Sequence, residues 1–181
     1  MALRNMRFIG DDILRKNTRT VEKFDERLWE LLDDMKETLV SQNGAGLAAP
    51  QVGILKKVAI VSFDDIHIEL INPEITFTEG EVSDVEGCLS IPNKTGYVTR
   101  PSKVRVHAQN REGEWFDVEA EGFVARALCH EIDHLSGVLY ADKVTRWVDN
   151  DELERMREKA KKNRSKQPQR VTFIEPKNNK E

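Results

Sequence analysis

His130-Glu131-Ile132-Asp133-His134 is the stretch of this chain with the clearest capacity for chemistry. In a helix, two histidines four residues apart lie only ~40° from each other on one face, one turn apart. Both imidazoles then reach one metal ion. Glu131, ~60° round from His134, reaches a water beside that ion without ligating it. With 4 His and 19 Glu in 181 residues, the pattern arises by accident roughly 0.01 times. The bland alternative is a core helix with two hydrogen-bonded histidines. It must bury two imidazoles and two acids with nothing to neutralise them, which is costly; a divalent cation removes that cost.

A catalytic metal ordinarily takes three protein ligands and keeps one position open. Cys129 sits ~100° from His130 and ~140° from His134 round the helix, so it reads as a small core residue. His67 and His107 fall in β-like runs and read as ordinary surface or core residues. Cys88 stands in Glu86-Gly87-Cys88-Leu89-Ser90-Ile91-Pro92, where a glycine and a proline make the backbone unusual. Spacing leaves Cys88 open as either a thiolate ligand or a buried free thiol. A third segment, Gly44-Ala45-Gly46-Leu47-Ala48-Ala49-Pro50-Gln51, combines glycines that permit close backbone approach to a ligand with the amide donor of Gln51. The same residues also suit any tight helix-to-strand connection.

The elements that must position these groups show in the apolar periodicity. Leu28, Leu31, Leu32, Met35 and Leu39 have the spacing of one helix face, which predicts a helix from Asp25, its N-cap, to Gln42, stopped by Asn43-Gly44. Short β-rich runs follow at Val58 to Val61, Ile66 to Ile71, Val104 to Val106 and Trp115 to Val118. Asn72-Pro73, Glu79-Gly80, Arg100-Pro101 and the hairpin loop Asn110 to Gly113 read as the turns between them. A second helix, from Gly122 or Phe123 to Ser136 and ended by Gly137, is apolar almost all round and must be buried. A third, from Asp149 to Lys162, carries acids first and bases last, in keeping with the helix dipole. The expected fold class is α+β: one domain over residues 1–165, with antiparallel β-sheets packed around a buried metal-binding helix and with N-terminal and C-terminal helices. Residues 166–181 read as a polar, flexible tail.

Composition limits the function classes. A 20.8 kDa chain with 39% hydrophobic and 33% charged residues can bury a core without staples. Its net charge of −4 does not indicate a DNA-binding protein. Two cysteines exclude a disulfide scaffold and suit a reducing, cytoplasmic setting. The first residues hold no apolar signal core, and no apolar run approaches the ~20 residues of a membrane helix. Arg155 to Arg170 carries a net +7, which leaves −11 on the rest. This segment reads as a solvated helix face or as a basic arm for an acidic partner such as ribosomal RNA.

Taken together, the three segments resemble the peptide deformylase family. Gly44 to Gln51 is similar to its G-x-G-L-A-A-P-Q motif, Glu86 to Ser90 to its E-G-C-L-S motif, and His130 to Leu135 to its H-E-x-D-H-L motif, in the family's order. The resemblance spans Gly44 to Leu135 and implies Cys88 as the third metal ligand beside His130 and His134. It implies removal of the formyl group from N-formylmethionine at the start of nascent polypeptides. It also implies Fe2+ as the cell's metal, with Zn2+, Ni2+ or Co2+ able to take the same place. Glu131 is then the general acid/base, and Gln51 and the Leu89 backbone N–H stabilise the oxyanion. Gly46 pairs with the substrate backbone, and Ala45, Phe123, Arg126 and Ala127 line the methionine pocket. Glu86 and Arg100 brace the Cys88 loop. Ala45 stands where many relatives carry Ile or Val, and Cys129 where many carry Gln. Two alternatives are an H-E-x-x-H peptidase of another class and a metal-stapled binding module without catalysis.

Overall fold

In the computed structural model, which describes residues 2–162 and 169–174, Asp25 Oδ1 accepts from the Leu28 backbone N–H at 3.2 Å and starts α1 (Glu26–Ser41). The helix buries Leu28, Leu31, Leu32, Met35 and Leu39, the face its spacing predicts. Asn43, in the left-handed region at φ 52°, ends it. The chain then runs through β1 (Gly46–Ala48), β2 (Val58–Phe63), β3 (Ile66–Glu79), β4 (Val82–Cys88), β5 (Ile91–Arg100), β6 (Lys103–Gln109) and β7 (Trp115–Glu121). After these come α2 (Gly122–Leu135), β8 (Val144–Trp147), α3 (Asn150–Lys162) and β9 (Val171–Ile174). Among the described residues the strands form two antiparallel sheets, one in the order β1-β2-β3-β6-β7-β9 and one in the order β4-β5-β8. This is the α+β single domain the sequence predicts.

The six-stranded sheet and α2 enclose the main core. Val61, Ile68, Leu70, Val104, Val106 and Val118 pack against Val124, Leu128 and Leu135 of the helix. α1 covers the other face of β1, β2 and β3 through Leu28, Leu32 and Met35, packed on Leu47, Ile60 and Ile71. The C-terminus of α2 is closed by a paired motif: the Gly137 N–H donates to His134 O at 3.2 Å and the Val138 N–H to Asp133 O at 3.1 Å. Gly137, at φ 72°, is required there, because a Cβ would also run into the Arg15 backbone.

Two readings of the sequence change. Asn72-Pro73 is not a turn but a bulge inside β3, where the register with β6 shifts between Ile71 and Glu74. Proline lacks the N–H a regular ladder needs, and a bulge leaves that position unpaired. The Asn72 side chain accepts from the Val21 N–H at 2.8 Å and donates to Val21 O and Gln109 Oε1, so it clamps the N-terminal segment across the bulge. β4 and β5 were not among the expected strands, since their sequences are polar and glycine-containing.

Within the expected tail of residues 166–181, Val171–Ile174 form β9 on the edge of β7, from Ala120↔Val171 to Asp117↔Ile174. The run Val-Thr-Phe-Ile has the β-branched and aromatic character of a strand. Gln169 Oε1 accepts from the Val124 N–H in the first turn of α2 at 3.4 Å, where the N-cap Glu121 supplies no side-chain bond. Residues 163–168 and 175–181, including part of the basic run from Arg155 to Arg170, lie outside the described residues. Among the described residues no helix is long and apolar enough to cross a membrane.

Arg111, in the β6–β7 loop, ties three elements together: its Nε donates to Glu69 Oε2 of β3 and its Nη2 to Asp33 Oδ1 of α1, each at 3.0 Å. Burial pushes the Glu69 carboxyl up, but His67 and Arg111 outweigh it and hold the group at about 2, against an ordinary 4.5. A depressed native pKa means that the contribution to stability is complete above about pH 4.5 and is lost as pH falls towards 2. Glu69→Gln is therefore expected to lose less stability than the native chain on acidification through that window, measured as the shift in urea midpoint. Parallel shifts in the two proteins would rule out this role for Glu69.

Candidate metal centre

The register of α2 brings His130 and His134 to one face, while the β4–β5 hairpin delivers Cys88 from the other sheet. Pairing steps from Gly87↔Thr95 to Cys88↔Ile91, an irregularity that sets the cysteine at the mouth of a tight turn through Leu89 and Ser90. Cys88 is thus the last residue of a strand, not part of an open loop. Its Sγ lies 3.4 Å from His134 Nε2, and one donor atom from each of Cys88, His130 and His134 lies within 4.8 Å of the others. Ligand bonds of ~2.0–2.3 Å in a tetrahedron hold donors roughly 3.3–3.8 Å apart, so a small closure around an ion suffices.

Around this cluster is a buried charge network. Glu86 Oε1 accepts from Arg100 Nε at 2.8 Å and from Arg126 Nη1 at 2.9 Å, and its Oε2 accepts from Arg100 Nη2 and from His130 Nδ1, both at 3.0 Å. Arg126 also donates to Val98 O and Val82 O, and Arg100 Nη1 to Asp133 Oδ2 at 2.5 Å. Burial favours the neutral carboxyl, but His130 and Arg100 outweigh it and hold Glu86 at about 2. With Nδ1 donating to this carboxylate, the lone pair of His130 sits on Nε2, on the metal side. Arg126 was expected only as an aliphatic wall. The structure adds its guanidinium to the network, a role that the spacing of a single helix could not reveal.

The electrostatics fit a cation. Burial would push His130 down, yet Cys88 and Glu86 beside it hold it up at about 10. The same two groups favour a metal ion in place of that proton. His134 is pushed well below its ordinary value by burial and by His130, which keeps its ring neutral and available as a ligand. Burial raises Glu131 to about 7. Among the described residues, Glu131 Oε2 and His134 Nδ1 are buried with no hydrogen-bond partner. One sulfur and two imidazoles suit a borderline divalent ion such as Fe2+ or Zn2+ better than a hard one.

Cys88, His130 and Glu131 lie on a cavity of about 590 Å³ lined also by Ala45, Gly46, Gln51, Leu89, Phe123, Arg126 and Ala127. Gln51 is immobilised there: its Oε1 accepts from the Ala48 N–H at 2.8 Å, and its Nε2 donates to Ser90 Oγ at 3.1 Å and lies 3.5 Å from Cys88 Sγ. Gly46 must lack a side chain there, since a Cβ would overlap the Glu131 carboxylate. Cys129 is buried in the core, where burial raises its thiol to about 11. His67 bonds to Ser62 Oγ, and His107 pairs with Asp117, both away from the centre.

Residues 3–150 match the sequence model of the polypeptide deformylase family. A peptide deformylase of Caldicellulosiruptor bescii is 56% identical over 162 residues, 90% of this chain and 98% of that one. The crystal structure of peptide deformylase from Thermotoga maritima superposes with a TM-score of 0.77 at 39% identity, covering 79% of this chain and 98% of that one. A Met-Ala-Ser-bound class I type b peptide deformylase from Acinetobacter baumannii gives a TM-score of 0.76 at 33% identity, over 78% and 98% of the two chains.

Removing Glu86 leaves two buried guanidinium groups facing each other. Glu86→Ala is expected to cost about 3–5 kcal/mol of unfolding free energy, the usual penalty for stranding a buried charge, measured by urea denaturation. A cost below about 1 kcal/mol, the range of exposed pairs, would show that the network does not hold the centre.

Proposed function

The chain belongs to the peptide deformylase family, and we propose that the Cys88, His130 and His134 cluster beside Glu131 is where it carries out the family's reaction. The enzyme removes the N-formyl group from the N-terminal formylmethionine of newly synthesised polypeptides and releases formate, in a metal-dependent hydrolysis. The observation that carries the site assignment is the convergence of one sulfur and two imidazoles to within 4.8 Å, next to a buried carboxylate oxygen without a partner.

Cys88 Sγ, His130 Nε2 and a ring nitrogen of His134 would hold the ion. When bound, a divalent cation supplies Lewis-acid chemistry, bringing the pKa of water from ~15.7 towards ~7 and polarising an acyl oxygen. Fe2+ is the ion this reading places there in the cell, with Zn2+, Ni2+ or Co2+ able to replace it; the mixed sulfur and nitrogen donor set suits a borderline divalent ion of this kind. Glu131 accepts a proton from the attacking water and returns it to the amine nitrogen as the C–N bond of the formamide breaks. A carboxyl raised by burial to about 7 is suited to both transfers. Gln51 Nε2 and the Leu89 backbone N–H donate to the oxygen that becomes anionic on attack.

Substrate binding follows from the sheet. Among the described residues β1 ends the six-stranded sheet and pairs only with β2, so its outer edge can take an extended peptide. The Ala48 N–H on that edge is taken by Gln51. Gly46, two residues earlier, faces the same way and offers its backbone to the substrate. Phe123, whose ring lies 4.6 Å from that of Phe63, forms the methionine slot with Ala127 and the stem of Arg126. Ala45 leaves that slot wide. Glu86 and Arg100 brace the cysteine strand. The substrate, a nascent chain, and the two free cysteines support a cytoplasmic location. The net +7 of Arg155 to Arg170 supports a transient, salt-dependent ribosome contact.

Formate should be released from formyl-Met-Ala-Ser and not from its acetylated analogue; equal turnover of the two would contradict the assignment. Glu131→Gln is expected to fold and load metal but to lose about 10²–10⁴ in kcat, and full activity would remove Glu131 from the mechanism. Cys88→Ala should bring bound metal from one ion per chain towards none, by elemental analysis of the purified protein. Retention of a full equivalent would point instead to an H-E-x-x-H site that does not use the cysteine.

A further inference from the structure

The cavity has a wall that the catalytic reading does not use. Asn150, Leu153 and Arg157 of α3 line it together with Cys88, His130 and Glu131. Their spacing of three and four places them on one face of the helix. Leu153 and Arg157 lie beyond the stretch that the family's sequence model matches, residues 3–150. The start of α3 is firmly seated. Asp149 Oδ1 caps it by accepting from the Glu152 N–H at 2.7 Å, and Glu152 pairs with both terminal nitrogens of Arg146 at 2.7 and 2.8 Å. The Val148 N–H donates to Thr95 O at 2.9 Å, which joins this segment to the β4–β5 hairpin.

That hairpin supplies the facing rim, where Lys94 extends its ammonium over the Trp147 ring, 5.6 Å from the centroid. Lys94 and Arg157 are both exposed, and among the described residues neither is recorded in an ion pair. Among the described residues the only carboxylates lining the cavity, Glu86 and Glu131, are buried at its floor. Among the described residues that line the cavity, the rim therefore presents two cations and no exposed carboxylate. A cavity of about 590 Å³ holds a drug-sized ligand, more than a single residue. An extended peptide advances ~3.3 Å per residue, so the residues after the first cross this rim within a few steps.

Resting on the deformylase reading, we propose that Lys94 and Arg157, with Leu153 between cavity and solvent, form a specificity rim for the residues that follow formylmethionine and favour substrates with acidic side chains there. Helix α3 is then part of the substrate site as well as the carrier of the basic run. The attraction is that of exposed charges, so it sets a preference without an absolute requirement, and salt weakens it.

The test compares kcat/KM of the full-length, nickel-loaded enzyme on formyl-Met-Ala-Asp-Asp-amide and formyl-Met-Ala-Lys-Lys-amide, with formyl-Met-Ala-Ser-amide as the neutral reference. The amides remove the terminal carboxylate, and the ratio is taken within one preparation, so any inactive fraction cancels. The acidic peptide should be preferred roughly 2- to 5-fold per cation at low salt, with the ratio falling towards one at about 0.5 M salt. Arg157→Glu and Lys94→Glu should each lower the ratio, and the double variant should invert it. A native ratio near one, or a ratio unmoved by both substitutions, overturns the rim while turnover of the neutral peptide leaves the deformylase reading standing. No formate from any of the three peptides overturns that reading and the rim with it.

Discussion

One buried carboxylate organises this molecule. Glu86 lies on β4, in the three-stranded sheet, and its two oxygens receive Arg100 from β5 together with Arg126 and His130 from α2. Each of these groups would be expensive to bury alone. Together they satisfy one another, and the arrangement exists only when the hairpin and the helix are docked in a single register. The network therefore acts as a lock between the part of the fold that carries Cys88 and the part that carries the two histidines.

That lock explains why a polar hairpin can form part of the interior. β4 and β5 have few apolar residues facing the core, and Ile91 and Val98 with Leu14, Leu139 and Tyr140 make only a small cluster. The hairpin is held as much by ions as by hydrophobic burial. A buried charge network stabilises less than its Coulomb attraction suggests, because every member has been taken out of water. Its gain is geometrical: His130 presents the same nitrogen to the centre in every molecule, and the cysteine arrives at a fixed distance from His134. Precise donor placement matters more for a catalytic ion than total stability does.

The same cavity shows two electrostatic regimes. At and beneath its floor, burial disfavours the charged forms, which raises Glu131 and lowers His134. At its rim, Lys94 and Arg157 stand in solvent, where charges attract over a distance but act weakly. A substrate would meet the weak field first and the strong one last. The helix that supplies Arg157 begins on the sheet locked by Glu86, so the outer wall is tied to the inner one through β8 and β5.

Much of this was legible in the amino-acid order alone. The faces of α1 and α2, the caps at Asp25 and Gly137, and the histidine pair all follow from short-range periodicity, which the chain carries locally. The bulge at Asn72-Pro73 was not legible, because a proline after asparagine is as good a turn as a bulge until its neighbour strand is known. β1, β4, β5, β8 and β9 were missed for a related reason: strand identity depends on partners far away along the chain. Composition and spacing determined that a helix would offer two imidazoles and a nearby carboxylate to a metal, and motif resemblance added the sulfur. Only the tertiary structure decided that Cys88 reaches His134 from another sheet, that Glu86 binds Arg126 as well as Arg100, and that α3 turns Leu153 and Arg157 towards the cavity. Contacts between residues 28 to 46 positions apart are set by how elements dock, and docking is a property of the whole core that no local pattern encodes.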